Sequence, residues 1–188
     1  MSIPRLTEIF ERFERAVEKL TSFITFISTD HAYIHQGKAF TATMTTGSID
    51  AAYKIGFKTP TVASGKFIHF RPLGITTSAN YVSIIMYEGD DFANGTGVVR
   101  TNRNRLSTET SKMQSFLKGT TVTPAGTILD YTGIGTSGIP AARSGGGSGA
   151  DQEIVLKQDT SYVFLLTPAG ATTVTASFFW YEEEKGIA

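Results

Sequence analysis

Cysteine is absent from this chain of 188 residues, and its absence excludes three kinds of chemistry. Disulfide cross-links, thiolate catalysis and cysteine-ligated metal centres all require a sulfhydryl group. The fold must therefore be stabilised by its hydrophobic core and by its partners. The length suffices for one well-buried domain together with an appendage of about 30 residues.

The chain also lacks an excess of charge of either sign, since it has 17 basic and 17 acidic residues. A neutral molecule has no long-range field that attracts nucleic acid or anionic lipid. Basic residues crowd between Arg100 and Lys118, and three glutamates follow one another from Glu182 to Glu184. Patches of this kind favour subunit contacts or solubility over DNA binding. We therefore predict neither a nucleic-acid nor a membrane partner.

Long apolar runs are missing as well. No segment approaches the ~20 apolar residues of a membrane span. Glu8, Arg12 and Glu14 stand where a signal peptide needs an apolar stretch. We expect a protein that is made and kept in the cytosol, or in whatever is assembled there.

Residues 1–30 have the pattern of a charged amphipathic helix. Pro4 suits the first turn of a helix. Apolar residues then recur at the i, i+3, i+4, i+7 spacing of one helical stripe, and the opposite face is charged. This stripe is the candidate contact surface for a partner or for oligomerisation, and it comprises Leu6, Ile9, Phe10, Phe13, Val17 and Leu20, with Ile24 continuing it.

The stripe needs a surface to pack against. The pairs Glu8 with Arg12 and Glu11 with Arg15 contribute only a few tenths of a kcal/mol each. An isolated helix of about 18 residues is not stable in water on that basis. The surface that covers the stripe is the β domain of the same chain, a second copy or another protein, and the sequence leaves all three open.

Residues 31–188 have a different pattern, with short alternating runs of threonine, β-branched and aromatic residues between turn signals. This pattern predicts a mainly β fold, an antiparallel β-sandwich of the jelly-roll type, with the helix of residues 1–30 as an N-terminal arm. Ser144–Gly149 (SGGGSG) predicts a mobile loop between two strands, and Glu88–Asn94 predicts an acidic hairpin turn. The predicted strands are Lys38–Thr45, Ala52–Lys58, Lys66–Phe70, Tyr81–Tyr87, Gly97–Thr101, a weak one near Phe116, Thr127–Tyr131, Glu153–Lys157, Ser161–Leu166 and Thr172–Tyr181.

Two histidines have a spacing that metal sites use. His31 and His35 are four residues apart, which on a helix places two imidazoles on one face. The residues between them read as extended, and on a strand the two side chains would lie about 13 Å apart. We therefore interpret both, and His69, as hydrogen-bonded structural residues, and we predict no metal site.

Catalytic and cofactor motifs are either absent or out of context. Gly133–Gly138 satisfies G-x-G-x-x-G, but Pro140 and a glycine tract follow where a helix is needed. The acidic turn at Glu88–Asn94 lacks the spacing of a calcium loop. No serine lies in a nucleophile elbow. We predict no catalytic residues, no cofactor and no enzymatic activity.

Three segments, however, occur in an order that indicates a family. Asp30–Phe40 (DHAYIHQGKAF) leads into the first strand, and Tyr81–Arg105 contains a strand ending in YEG and then an Asn/Arg-rich stretch. The closing half, from Ile128, holds a Gly-rich loop, a Y-x-F-x-L strand and the aromatic-acidic run FFWYEEE. In this order of features, the chain resembles tailed-bacteriophage capsid decoration proteins, also called cement or head-stabilising proteins.

The resemblance implies a function as well as a fold. Such proteins are jelly-roll-like and bind the outer surface of the capsid as oligomers, where they bridge neighbouring subunits of the major capsid protein. It thus implies a non-enzymatic virion protein, a homodimer or homotrimer, made in the host cytoplasm and located on the capsid surface. The helical arm departs from the pattern of this group. The alternative is a receptor- or glycan-binding module of a phage head fibre or tail, built on the same β architecture.

Overall fold

Two antiparallel sheets form the described part of the molecule. A computed structural model describes residues 29–135, 143–145 and 153–184. Its elements are helix α1 (Thr29–His35), strands β1 (Ala39–Ile49), β2 (Tyr53–Lys58), β3 (Lys66–Thr77), β4 (Val82–Glu88), β5 (Thr96–Gly97), β6 (Thr101–Asn102), β7 (Ser115–Lys118), β8 (Thr127–Ile134), β9 (Arg143–Gly145), β10 (Ile154–Leu156), β11 (Ser161–Pro168) and β12 (Thr172–Glu184), and a 3-10 turn at Val62–Ser64.

The chain passes repeatedly from one sheet to the other. Sheet A has the strand order β10-β3-β12-β1-β6, and β9 also pairs with β3. Sheet B has the order β5-β7-β2-β11-β4-β8. Successive strands β1 to β4 therefore alternate between the sheets. The β-sandwich class that the sequence predicts is confirmed for the described residues.

The two sheets pack together through an aromatic core. Even-numbered residues of β12, among them Val174, Phe178 and Trp180, point into the core, as the two-residue period of a strand requires. Phe57 of sheet B stacks on Phe70 of sheet A with 5.0 Å between the ring centroids. Ring pairs of this kind add about 0.5–1.5 kcal/mol each beyond the burial of their area. They fix the distance between the sheets.

Helix α1 corrects the prediction that residues 32–34 are extended. The helix runs to His35, beyond the boundary expected near Asp30. Gly37, at φ 72°, ends it, because the Gly37 N–H donates to the Ile34 carbonyl and the Lys38 N–H donates to the Tyr33 carbonyl. These two bonds form a Schellman cap, which favours glycine at the left-handed position.

Most predicted strands are confirmed, but Gly97–Thr101 is wrong as a single strand. Gly97 belongs to β5 in sheet B and Thr101 to β6 in sheet A. Between them the Val98 side chain enters the core, and its N–H donates to the Phe116 carbonyl at 2.8 Å. The predicted strand therefore divides where the chain crosses from one sheet to the other.

Turn signals led to three further errors. β3 extends past Phe70 to Thr77, because Pro72 lies at a bulge in β3 itself, where residue 73 has no partner between the pairs Gly74 with Ser177 and Pro72 with Phe178. The predicted hairpin at residues 88–94 does not form, since β4 pairs with β8 and β11 rather than with β5. Within the predicted loop 144–149, residues 144 and 145 pair with β3 as part of β9. The rest of that loop lies outside the described residues.

On the outer side of sheet B, one loop residue lies directly on a strand. Phe92, in the loop after β4, packs on Gly56 of β2, where an added Cβ atom would lie 2.6 Å from the Phe92 ring. This distance is far inside van der Waals contact. Glycine at position 56 is therefore required for the loop to lie on the sheet.

We expect Gly56→Ala to lower the free energy of unfolding by about 1–3 kcal/mol, the usual cost of overpacking. Gly47→Ala is the matched control in β1, because no atom lies within 4 Å of the added Cβ. Urea denaturation of the two variants measures the difference. Equal stabilities would contradict the contact.

Candidate interaction surface

Helix α1 packs against the outer face of sheet A, the face that points away from the core. Strand alternation turns Ala39, Phe179 and Tyr181 to this side. They are nevertheless buried, because Tyr33 and Ile34 of α1 cover them. The molecule thus has a second, smaller hydrophobic cluster. It holds α1 on the sheet.

Aromatic stacking joins the helix to the sheet. The Tyr181 ring stacks with Tyr33 at 4.2 Å and with His69 at 4.5 Å between centroids. The Tyr181 hydroxyl donates to Glu153 Oε1 at 2.6 Å. Four segments of the chain meet at this one tyrosine: α1, β3, β12 and the residue before β10.

His69 lies between two carboxylates. Its Nδ1 is 2.7 Å from Glu153 Oε1, and its Nε2 is 3.1 Å from Glu183 Oε2. Because an ionised carboxylate only accepts hydrogen bonds, both contacts are hydrogen bonds when both ring nitrogens carry a proton. The prediction of a hydrogen-bonded structural histidine is confirmed for His69.

Tyr33 shares the carboxylate environment of this cluster. Its burial, its hydrogen bond to Glu183 and the negative charges of Glu183 and Glu153 raise the pKa of Tyr33 to about 12. Each of these causes favours the neutral phenol over the phenolate. The helix is therefore held to the sheet by a group that stays protonated well above neutral pH.

Two arginines flank the same cluster. The guanidinium carbon of Arg103 lies 4.9 Å from the centroid of the Phe179 ring, and that of Arg71 lies 5.9 Å away. Both distances are within the range of cation–π attraction. The backbone N–H of Arg103 also donates to the Ala39 carbonyl at 2.9 Å, which fixes Arg103 beside the cluster. The arginines thus place positive charge beside the helix base.

A cavity of about 170 Å³ opens next to the C-terminal end of α1. Its charged lining is balanced, with three lysines and three glutamates, and Lys66 pairs with Glu184 at 2.6 Å. Glu182 is 3% exposed and accepts hydrogen bonds from the Ser111 hydroxyl and the Lys112 N–H. The Glu182 carboxylate therefore holds the loop before β7 in place. Because the lysines and glutamates of the cavity are equal in number, its net charge favours neither anions nor cations.

The predicted contact residues are not placed by the structure. The stripe Leu6, Ile9, Phe10, Phe13, Val17 and Leu20 lies outside the described residues. The structure does place α1, which overlaps the predicted arm at residues 29 and 30, on the outer face of sheet A. Sequence reasoning missed Tyr33 and Glu153, although the run of four aromatics from Phe178 to Tyr181 is a signal that both faces of this strand are covered.

In comparisons with protein-family models, curated proteins and solved structures, the chain shows no significant match. None of the helices in the described ranges has the length and hydropathy to span a membrane.

We expect Tyr33→Phe to lower the free energy of unfolding by about 1 kcal/mol near pH 8, because the hydrogen bond to Glu183 is lost. An unfolded tyrosine ionises near pH 10, whereas folded Tyr33 ionises near 12. The stabilisation from the raised pKa is complete below pH 10 and disappears as the pH rises to about 12.

Urea titrations of the wild type and Tyr33→Phe between pH 8 and pH 11.5 measure this difference. The advantage of the wild type should be constant up to about pH 9.5 and then shrink. An advantage that stays constant through pH 11.5 would contradict the placement of Tyr33 beside Glu183.

Proposed function

We propose that this protein is a structural component of a phage virion that binds the outer surface of the capsid and bridges neighbouring subunits of the major capsid protein. The observation that carries the proposal is the anchoring of α1. The β-sandwich holds α1, which follows the amphipathic sequence of the arm, on one face through Tyr33 and Ile34. The resemblance of the sequence to capsid decoration proteins supports the same function.

The physics of cementing agrees with a scaffold of this kind. A shell under pressure from packaged DNA fails where capsomers separate, and a protein bound across the joint adds its interface energy to each separation. An oligomer bound at several points gains effective concentration, so that modest individual contacts suffice. A neutral β-sandwich of jelly-roll type with a helical arm meets these needs without any catalytic group.

The sequence spacing of the arm favours self-association. Steps of four and three residues alternate through Leu6, Phe10, Phe13, Val17, Leu20, Ile24 and Ile27. A seam of this spacing over three heptads is typical of a coiled coil. Ile34 packs on sheet A, whereas His31 is exposed. We propose that the contact with sister copies ends before α1, which leaves His31 exposed.

The part of β1 and β12 beyond the cluster at Phe179 offers the stripe a poor surface. The outward residues of these two strands form a polar ladder, in which the Thr43 and Ser177 hydroxyls lie 3.1 Å apart and the Thr45 and Thr175 hydroxyls also 3.1 Å. Burying aromatic residues on hydroxyl groups that already pair with each other gains little. This supports a homo-oligomer, dimer or trimer, over an arm folded back along these two strands.

The alternative, a receptor- or glycan-binding module of a head fibre or tail, gains less support. Exposed aromatics would favour it, but the aromatic run Phe178–Tyr181 is buried. Tyr131, at 62% exposure on β8, is the exposed large aromatic side chain within the described residues. We therefore keep the capsid surface as the proposed location.

The location of the protein in the virion tests the proposal directly. We expect a reconstruction of the virion that carries this chain to show its β-sandwich on the outside of the capsid, across the joints between major capsid subunits. Density for the sandwich at the tail tip alone would overturn the proposal and favour the receptor-binding alternative.

We further expect the double variant Phe10→Asp and Phe13→Asp to lose oligomer mass in light scattering and occupancy on capsids. Each buried aromatic that is lost costs about 3–5 kcal/mol, and the new carboxylates enter an apolar seam. The matched control is Arg12→Gln with Arg15→Gln, which changes the net charge by the same amount away from the seam. The control should assemble and bind as the wild type does.

The thermal transition of the β domain separates the possible outcomes. It should be unchanged in the double aspartate variant if the stripe serves association. Unfolding of the domain in that variant would place the stripe in the core of its own domain. Unchanged assembly and occupancy would make the arm a passive leader. Either of these results contradicts the proposal for the arm.

A further inference from the structure

We propose that His31 and His35 together bind a divalent transition-metal ion, such as Zn²⁺ or Ni²⁺, on the exposed side of α1. The site lies on α1, and its existence does not depend on the proposed function. It also reverses the interpretation of these histidines drawn from sequence, because the ground for that interpretation was an extended backbone, and the backbone is helical.

The geometry of the two rings fits a chelate. His31 and His35 lie one helical turn apart, and their Nε2 atoms are 2.9 Å from each other. The usual zinc–imidazole distance is about 2.05 Å. For an ion at that distance from both nitrogens, which are 2.9 Å apart, the nitrogen–metal–nitrogen angle would be about 90°. This is the angle between neighbouring ligands of an octahedral ion. A tetrahedral ion needs a separation of about 3.3 Å, which a small rotation of exposed side chains supplies.

The backbone that carries the histidines is held in place. The Asn104 side chain donates to the His35 carbonyl at 3.1 Å, and the Asn102 side chain donates to the Gly37 carbonyl at 2.7 Å. On the side toward the sheet, Tyr33 and Ile34 are packed. The backbone turn that carries the two imidazoles is therefore fixed, which reduces part of the entropy cost of binding an ion.

The ligand set determines the class of ion. Imidazole nitrogen suits Zn²⁺, Ni²⁺ and Cu²⁺, whereas Mg²⁺ and Ca²⁺ prefer oxygen ligands. Among the described residues, no group of three or more histidine and acidic side chains has the arrangement of a metal site. Two imidazoles are then the ligands that the described residues supply, and water fills the other positions. A site of this kind discriminates strongly against Mg²⁺.

The chain is well suited to a direct test. It contains three histidines and no cysteine, so that few other soft ligands compete. Calorimetric titration of the tag-free protein with ZnCl₂, NiCl₂ and MgCl₂ measures binding. The variants His31→Gln and His35→Gln each remove one ligand. His69→Gln is the control, because His69 lies in the carboxylate cluster on sheet A.

We expect Zn²⁺ and Ni²⁺ to bind the wild type, and Mg²⁺ not to bind. Each of His31→Gln and His35→Gln should weaken metal binding by at least about tenfold. Removing only a hydrogen-bond partner of a metal ligand already lowers metal affinity by about that factor. His69→Gln should bind as the wild type does. Circular dichroism confirms that each variant is folded. Addition of EDTA should reverse any rise in melting temperature caused by Zn²⁺.

Two results would overturn the proposal. One is Zn²⁺ and Ni²⁺ binding that is the same in the wild type and in the variant lacking both His31 and His35. The other is the absence of measurable Zn²⁺ and Ni²⁺ binding to the wild type, in which case the 2.9 Å contact is a hydrogen bond between the two rings and nothing more.

Discussion

The structure depends on the burial of β12 on both of its faces. Phe178 and Trp180 fill the space between the sheets, while Phe179 and Tyr181 form the floor under α1. β12 is also hydrogen-bonded along both edges, to β1 and to β3. A shift of this strand by one residue would turn the threonine and serine side chains of its first half into the core. The register of sheet A and the position of the helix are therefore fixed by the same strand.

Much of the β-sandwich could be predicted from period-two alternation, because this pattern is a direct result of strand geometry. The failures occurred where tertiary contacts overrode local signals. Pro72 reads as a strand breaker, but a bulge at the next residue of β3 accommodates it. Val98 lies in the middle of an apparent strand, but its side chain enters the core while the chain crosses between sheets. Which strands pair, and in which sheet, depends on contacts that no local window of sequence contains.

The candidate site was harder to predict than the fold. Residues 31–35 contain aromatic and β-branched side chains, which favour extended structure, yet they form the last turns of a helix. Gly37 was the signal that could have indicated this, since glycine commonly follows the end of a helix. The cluster of His69, Glu153 and Glu183 joins three separate segments, and only the folded chain brings them together.

The position of α1 also constrains the order in which the chain can mature. Tyr33 and Ile34 are made early, but Phe179 and Tyr181, against which they pack, lie in the last of the described strands. Contacts between residues so distant in sequence form late and slowly. During synthesis, α1 therefore emerges long before the surface on which it packs exists. A chain interrupted before β12 would carry α1 without that surface, so α1 can dock on the sheet only after synthesis has passed β12.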